Sequence, residues 1–198
     1  MKNNNTKLMQ LIIVALFSAI VVVFTVIPNL GYISTGPIEI TTIHIIVIIG
    51  AVFLGPKYGA FIGSVWGITC IARAFILGGG SEIFKPFLNP MVSFVPRLLV
   101  GLVAGLVFSA LKKTKIPLIL SAGITGAVGT LTNTVLVLSA LYIFGGMIDS
   151  YSDFFTLFKT IISTIIALNG SIELIAAILI VPAVYKPLSK FTNNMIGK

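Results

Sequence analysis

The chain is organised by apolar runs too long and too uniform for a water-soluble fold. A helix rises about 1.5 Å per residue, so roughly twenty apolar residues cross a hydrocarbon core about 30 Å thick, and fewer suffice where a helix is tilted or sheltered by neighbours. Six such stretches lie near Leu8–Pro28, Thr42–Leu54, Tyr58–Leu77, Met91–Leu111, Pro117–Phe144 and Lys159–Pro182. The second is short, and the spans around it require a crossing there. Only 9% of the 198 residues are charged, whereas a soluble domain carries roughly 25%. So few charges cannot coat a water-facing surface of this size, which excludes a soluble enzyme, a disordered tail and a coiled coil together. The reading is an all-α integral membrane protein, a bundle of six transmembrane helices forming one domain over residues 1–198.

The net charge of +8 is a topology signal and needs no nucleic acid, which would require the basic residues gathered on one wet face. Lys2, Lys7, Lys57, Lys112, Lys113, Lys115, Lys186, Lys190 and Lys198 fall at the tails and in the connections after the second and fourth spans, all on one side. That side is the cytoplasm by the positive-inside rule, and both termini are expected there. The first span is too long for a signal-peptide core, and Pro28-Asn29-Leu30-Gly31 is no small-x-small cleavage site.

On the cytoplasmic side the connections Gly55-Pro56-Lys57 and Lys112 to Ile116 are tight. On the outer side Asn29–Thr41, Gly78–Pro90 and Gly145–Phe158 are long and glycine-rich, holding Glu39, Glu82, Asp149 and Asp153. Long outer loops over a compact bundle are expected to act as lids on an outward-facing site.

Helices in lipid associate through small residues at four-residue spacing. Gly59, Gly63 and Gly67 mark such a face on the third span, Gly101, Gly105 and Ser109 on the fourth, and Ala122, Gly126 and Gly129 on the fifth. Packing within the bundle accounts for these. Ala15 and Ala19 form a similar stripe on an otherwise bulky first span, a docking surface for another protein.

An ionisable group at membrane depth is costly and marks function by default. Arg97 stands roughly 9 Å below the outer start of its span at 1.5 Å per residue. It shares a face with Gly101 and Gly105, and Pro96 beside it removes a backbone donor. Its planar fork suits a carboxylate or phosphate; it either pairs with Glu173 or shares a ligand with it. Asn133 continues the small face of the fifth span, and Asn169 shares a face of the sixth with Glu173. Arg73 sits near the outer end of the third span, facing the site or snorkelling to the interface. His44 and Trp66 complete the candidate substrate-binding set. A lone histidine and a lone Cys70 offer no metal site. No P-loop, nucleophile elbow or zincin motif is present, so the expectation is a subunit with no cofactor and no catalytic residues.

These residues also resemble a family. The whole chain is similar to the substrate-binding S component of energy-coupling factor (ECF) vitamin transporters. The likeness lies in its length, its six spans, the A-x-x-x-A pattern as Ala15 to Ala19, Thr42-Ile43-His44-Ile45 followed by Ile49 to Ala60, and Asn89-Pro90 to Pro96-Arg97 running into Gly105. The resemblance implies capture of a vitamin from outside under the first outer loop, then delivery with a transmembrane T subunit and two cytoplasmic ATPases in a prokaryotic plasma membrane. It places T-subunit docking at Ala15 and Ala19. The His44 region and the Pro96-Arg97 block look most like pantothenate-type members, with Arg97, Asn133 and Asn169 matching carboxylate and polar spine. The alternatives are an S component for another vitamin, such as riboflavin, folate or cobalamin, or a solitary membrane facilitator.

Overall fold

The computed structural model describes residues 2–34, 39–77, 82–144 and 170–196. Along the chain run α1 (Lys2–Val26), strands β1 (Tyr32–Ser34) and β2 (Glu39–Thr41), α2 (Ile43–Leu54), α3 (Pro56–Leu77), a 3-10 helix (Glu82–Leu88), α4 (Pro90–Leu111), α5 (Leu118–Phe144) and α6 (Gly170–Ile196). Five of the six α-helices are long and apolar enough to cross a bilayer.

The short α2 is the exception, and its position explains how it can be short. It touches each of the other five helices, and nine of its twelve residues, from Ile43 to Val52, are buried. A helix walled in by protein does not have to match the bilayer on its own. It ends at Gly55, whose φ of +90° lies where only glycine is unstrained, and Pro56 opens α3 at once in the position proline prefers.

Around this hub, α3 and α4 pack through glycines. A Cβ at Gly63 would fall on the Arg97 carbonyl, one at Gly101 on the Gly59 carbonyl, and one at Gly67 within 2.7 Å of the Phe94 backbone. Backbone therefore meets backbone along this seam, as the four-residue spacing predicts. A second seam joins α5 to α6, where a Cβ at Gly126 would stand 2.6 Å from the Ala177 carbonyl. At the end of the bundle that carries the Gly55-Pro56 turn, Tyr185 of α6 stacks on Phe53 at 5.5 Å and meets Phe108 edge-on at 5.3 Å.

Two expectations change. The connection Asn29–Thr41 contains an antiparallel hairpin with Tyr32 opposite Thr41 and Ser34 opposite Glu39, and the connection before α4 contains the 3-10 helix, so both carry defined structure. The last helix continues through Pro182 and Pro187 to Ile196 rather than ending near Pro182. Lipid and neighbouring helices tolerate a proline inside a span because freed backbone groups are satisfied locally. Residues 145–169, with Gly145, Gly146, Asp149, Asp153 and the predicted start of the sixth span, lie outside the described residues, as do Gly78, Gly79 and Gly80.

Candidate functional site

The beginning of α4 sets the site. Asn89 caps the helix, its side chain accepting the Met91 N–H at 2.9 Å, and Pro90 takes the first position, where its missing N–H costs nothing. Two turns on, Pro96 has no N–H to give the Val92 carbonyl four residues back. The neighbouring side chain fills the gap: Arg97 Nη1 donates to that same Val92 oxygen at 2.6 Å. The proline thus leaves an acceptor that anchors one edge of the guanidinium.

Arg97 is only 5% exposed. Its guanidinium lies between two rings, 5.1 Å from the centroid of Trp66 on α3 and 5.8 Å from that of Phe87 in the 3-10 helix. Phe87 is tied in turn by its carbonyl, which accepts from the Ser93 hydroxyl at 2.5 Å. The aromatic faces stabilise the cation without neutralising it, and among the described residues Arg97 Nε has no hydrogen-bond partner. A buried charged donor left this way is costly unless something arrives to accept from it.

The hairpin covers this region through three polar ties. The Tyr32 hydroxyl accepts the Trp66 indole N–H at 3.1 Å; burial pushes the Tyr32 phenol well above its usual range, so it stays protonated. Arg73 of α3 donates two hydrogen bonds to Glu39 at 2.9 and 2.7 Å and lies 4.1 Å over the Tyr32 ring. Glu173 of α6 accepts the Thr41 N–H at 2.7 Å. At the hairpin's base the Thr42 N–H reaches the Gly31 carbonyl at 2.9 Å.

The predicted residues therefore separate. Trp66 and Arg97 come together, and Glu173 lies within electrostatic reach of Arg97. Among the described residues Glu173 and Arg97 form no direct ion pair, because the Glu173 carboxylate serves the hairpin backbone. Arg73 pairs with Glu39. His44 is fully buried at the start of α2, near the Thr41 backbone, with neither ring nitrogen in a well-formed hydrogen bond among the described residues. Asn133 is 5% exposed on α5, its side-chain oxygen unpartnered. Most buried hydroxyls nearby behave differently: Thr125 and Thr130, for example, donate to carbonyls four residues back at 2.8 and 2.9 Å. Asn169 lies outside the described residues. Ala15 and Ala19 are exposed on α1.

Tyr32 is readable from the sequence as either a lid contact or solvated surface, whereas Glu39, Thr41 and Phe87 were missed as members of the cluster. A carboxylate in a connection that also carries an aromatic residue was the signal available for Glu39; for the Thr41 backbone and Phe87 none existed. Among the described residues no cluster of His, Cys, Asp or Glu is arranged to hold a metal ion.

Residues 9–185 match the model of the family described as ECF transporter, substrate-specific component. Two curated proteins are similar over nearly the whole chain. One is a pantothenic acid transporter, PanT, of Lactococcus lactis subsp. cremoris, 31% identical over 96% of this chain and 98% of its own length. The other is a pantothenate transporter, PanT, of Leuconostoc mesenteroides subsp. mesenteroides, 35% identical over 93% of each chain.

Proposed function

The chain belongs to the family of ECF transporter substrate-specific components, and we propose that its cargo is pantothenate, held under the hairpin with its carboxylate on Arg97. The observation that carries this reading is the Arg97 guanidinium, buried, anchored at one edge and left with an unpartnered Nε. Pantothenate is a small anion with an amide and hydroxyl groups, so it offers what the buried atoms lack. The carboxylate accepts from Arg97, a hydroxyl or amide N–H donates to Asn133 Oδ1, and His44 supplies a ring N–H and a ring nitrogen for the rest. The two relatives named for pantothenate support the same cargo.

As a multi-pass protein of the cell membrane, the chain carries substrate specificity, and the energy of transport comes from partners. We assign these as a transmembrane T subunit and two cytoplasmic ATPases, with Ala15 and Ala19 on the exposed face of α1 as the T-subunit contact and both termini in the cytoplasm. Ala15→Leu with Ala19→Leu is expected to abolish co-purification with the T subunit while leaving vitamin binding intact; a complex that still forms moves the contact elsewhere.

The cargo is tested by binding labelled pantothenate to the purified chain in detergent, with riboflavin, folate and cobalamin as unlabelled competitors. Displacement by pantothenate alone is expected, and Arg97→Ala should weaken binding at least tenfold, about 1.4 kcal/mol. Displacement by another vitamin changes the cargo. Unaltered affinity in Arg97→Ala removes Arg97 from the site, and transport by the chain alone in liposomes would make it a facilitator.

A further inference from the structure

An unbroken series of side chains runs from the surface of the hairpin to the buried guanidinium. Glu39 of β2 grips Arg73 through two hydrogen bonds, and this pair is about a quarter exposed, 20% for Arg73 and 29% for Glu39. The Arg73 guanidinium lies over the Tyr32 ring at 4.1 Å, the Tyr32 hydroxyl accepts from Trp66 at 3.1 Å, and the Trp66 ring faces Arg97 at 5.1 Å.

We propose that Glu39 and Arg73 are a positioning pair for substrate binding. They hold Tyr32, Tyr32 holds the Trp66 indole, and Trp66 holds the Arg97 guanidinium with its Nε edge turned to the substrate carboxylate. Neither member of the pair touches the substrate. The proposal rests on the reading of Arg97 as the carboxylate anchor.

Three physical points carry it. A two-stranded hairpin is marginally stable on its own, so the place of Tyr32 depends on ties to the helices. A bidentate carboxylate–guanidinium pair fixes orientation as well as distance, and here it joins the hairpin to the helix that bears Trp66, about two turns away. Trp66 is fully buried, and its N–H must find an acceptor; the Tyr32 oxygen is that acceptor. Losing the outer pair therefore reaches the inner ring without any change in the residues between. The other carboxylate tie, Glu173 to the Thr41 N–H, holds the strand partner of Tyr32, so it fixes the hairpin backbone, whereas the Glu39–Arg73 pair fixes the Tyr32 ring.

Trp66 is the sole tryptophan of the chain, so its fluorescence reads the series directly and without ligand. In Glu39→Gln, purified in nanodiscs, the Trp66 emission is expected to move to longer wavelength with greater quenching by acrylamide, and pantothenate affinity to fall about fivefold. Tyr32→Phe, which removes the acceptor and leaves the ion pair, should reproduce the emission change. The exchanged pair, Glu39→Arg with Arg73→Glu, should restore both readouts toward wild type. Emission and quenching unchanged in Glu39→Gln would overturn the proposal, as would altered emission that the exchange does not rescue. If the wild-type chain bound no pantothenate while the emission changes and their rescue held, the positioning series would stand and the cargo assignment would fall.

Discussion

The seam between α3 and α4 and the cluster beneath the hairpin share those two helices, and Arg97 belongs to both. On the seam its backbone carbonyl packs where Gly63 has no side chain. In the cluster its guanidinium is anchored on one edge and open on the other. The seam is complete: backbone lies against backbone, and nothing further is needed to satisfy it. The cluster is incomplete, with Arg97 Nε buried and unpartnered among the described residues, as are polar atoms of His44 on α2 and Asn133 on α5. Each such atom costs about 1–3 kcal/mol. A binding protein needs both regions, one to hold its shape and one to remain unsatisfied until the substrate arrives.

The sharpest way to break this contrast is to damage the frame. Gly63→Leu drives a side chain into the Arg97 carbonyl, and overpacking of this kind should cost about 3 kcal/mol, the upper end of its usual range. Thermal melting in detergent should show a large fall in Tm or no folded protein. A folded, normally melting Gly63→Leu would mean that the seam yields easily, and the distinction between the two regions would be lost.

Asn133→Leu tests the other region with effects of opposite sign. Removing a buried unsatisfied amide for an apolar group of similar size should stabilise the empty chain by about 1 kcal/mol, while the loss of a partner for the substrate weakens binding by a similar amount. Melting and binding measured on one preparation check both. If stability and affinity fall together, Asn133 is structural and the cluster is less empty than its hydrogen bonds indicate.

Pro96→Ala is the smallest and most local perturbation. The restored N–H competes for the Val92 carbonyl that now holds Arg97 Nη1, so the helix gains a bond and the guanidinium loses its anchor. The expected result is an unchanged or higher Tm with affinity lowered about threefold, roughly 0.65 kcal/mol. Full affinity in this variant would show that the flanking rings alone position Arg97.

Much of the frame was legible along the chain. Apolar run lengths marked the spans, four-residue glycine spacing marked the faces of α3, α4 and α5, and Pro96 beside Arg97 flagged a polar site on an inward face. The partners were harder to see. Arg73 and Glu39 are 34 residues apart and Glu173 and Thr41 are 132 apart, and no periodicity connects such pairs. The pairing of Arg97 with Glu173, reasonable for two charges at depth, gave way because a hairpin N–H reached Glu173 instead. Likewise the hairpin itself, six paired residues in a connection rich in glycine and threonine, has too little strand for alternation to declare it.

What the sequence by itself determined is therefore the solvent, the apolar helices and the faces that pack. These follow from transfer free energy and helical period, which act on each segment separately. Only the tertiary structure decided which buried polar atoms find partners and which are left open. That outcome depends on side chains from α3, α4, α6 and the hairpin meeting across long stretches of chain, a condition set by how the segments pack together and by no one of them alone.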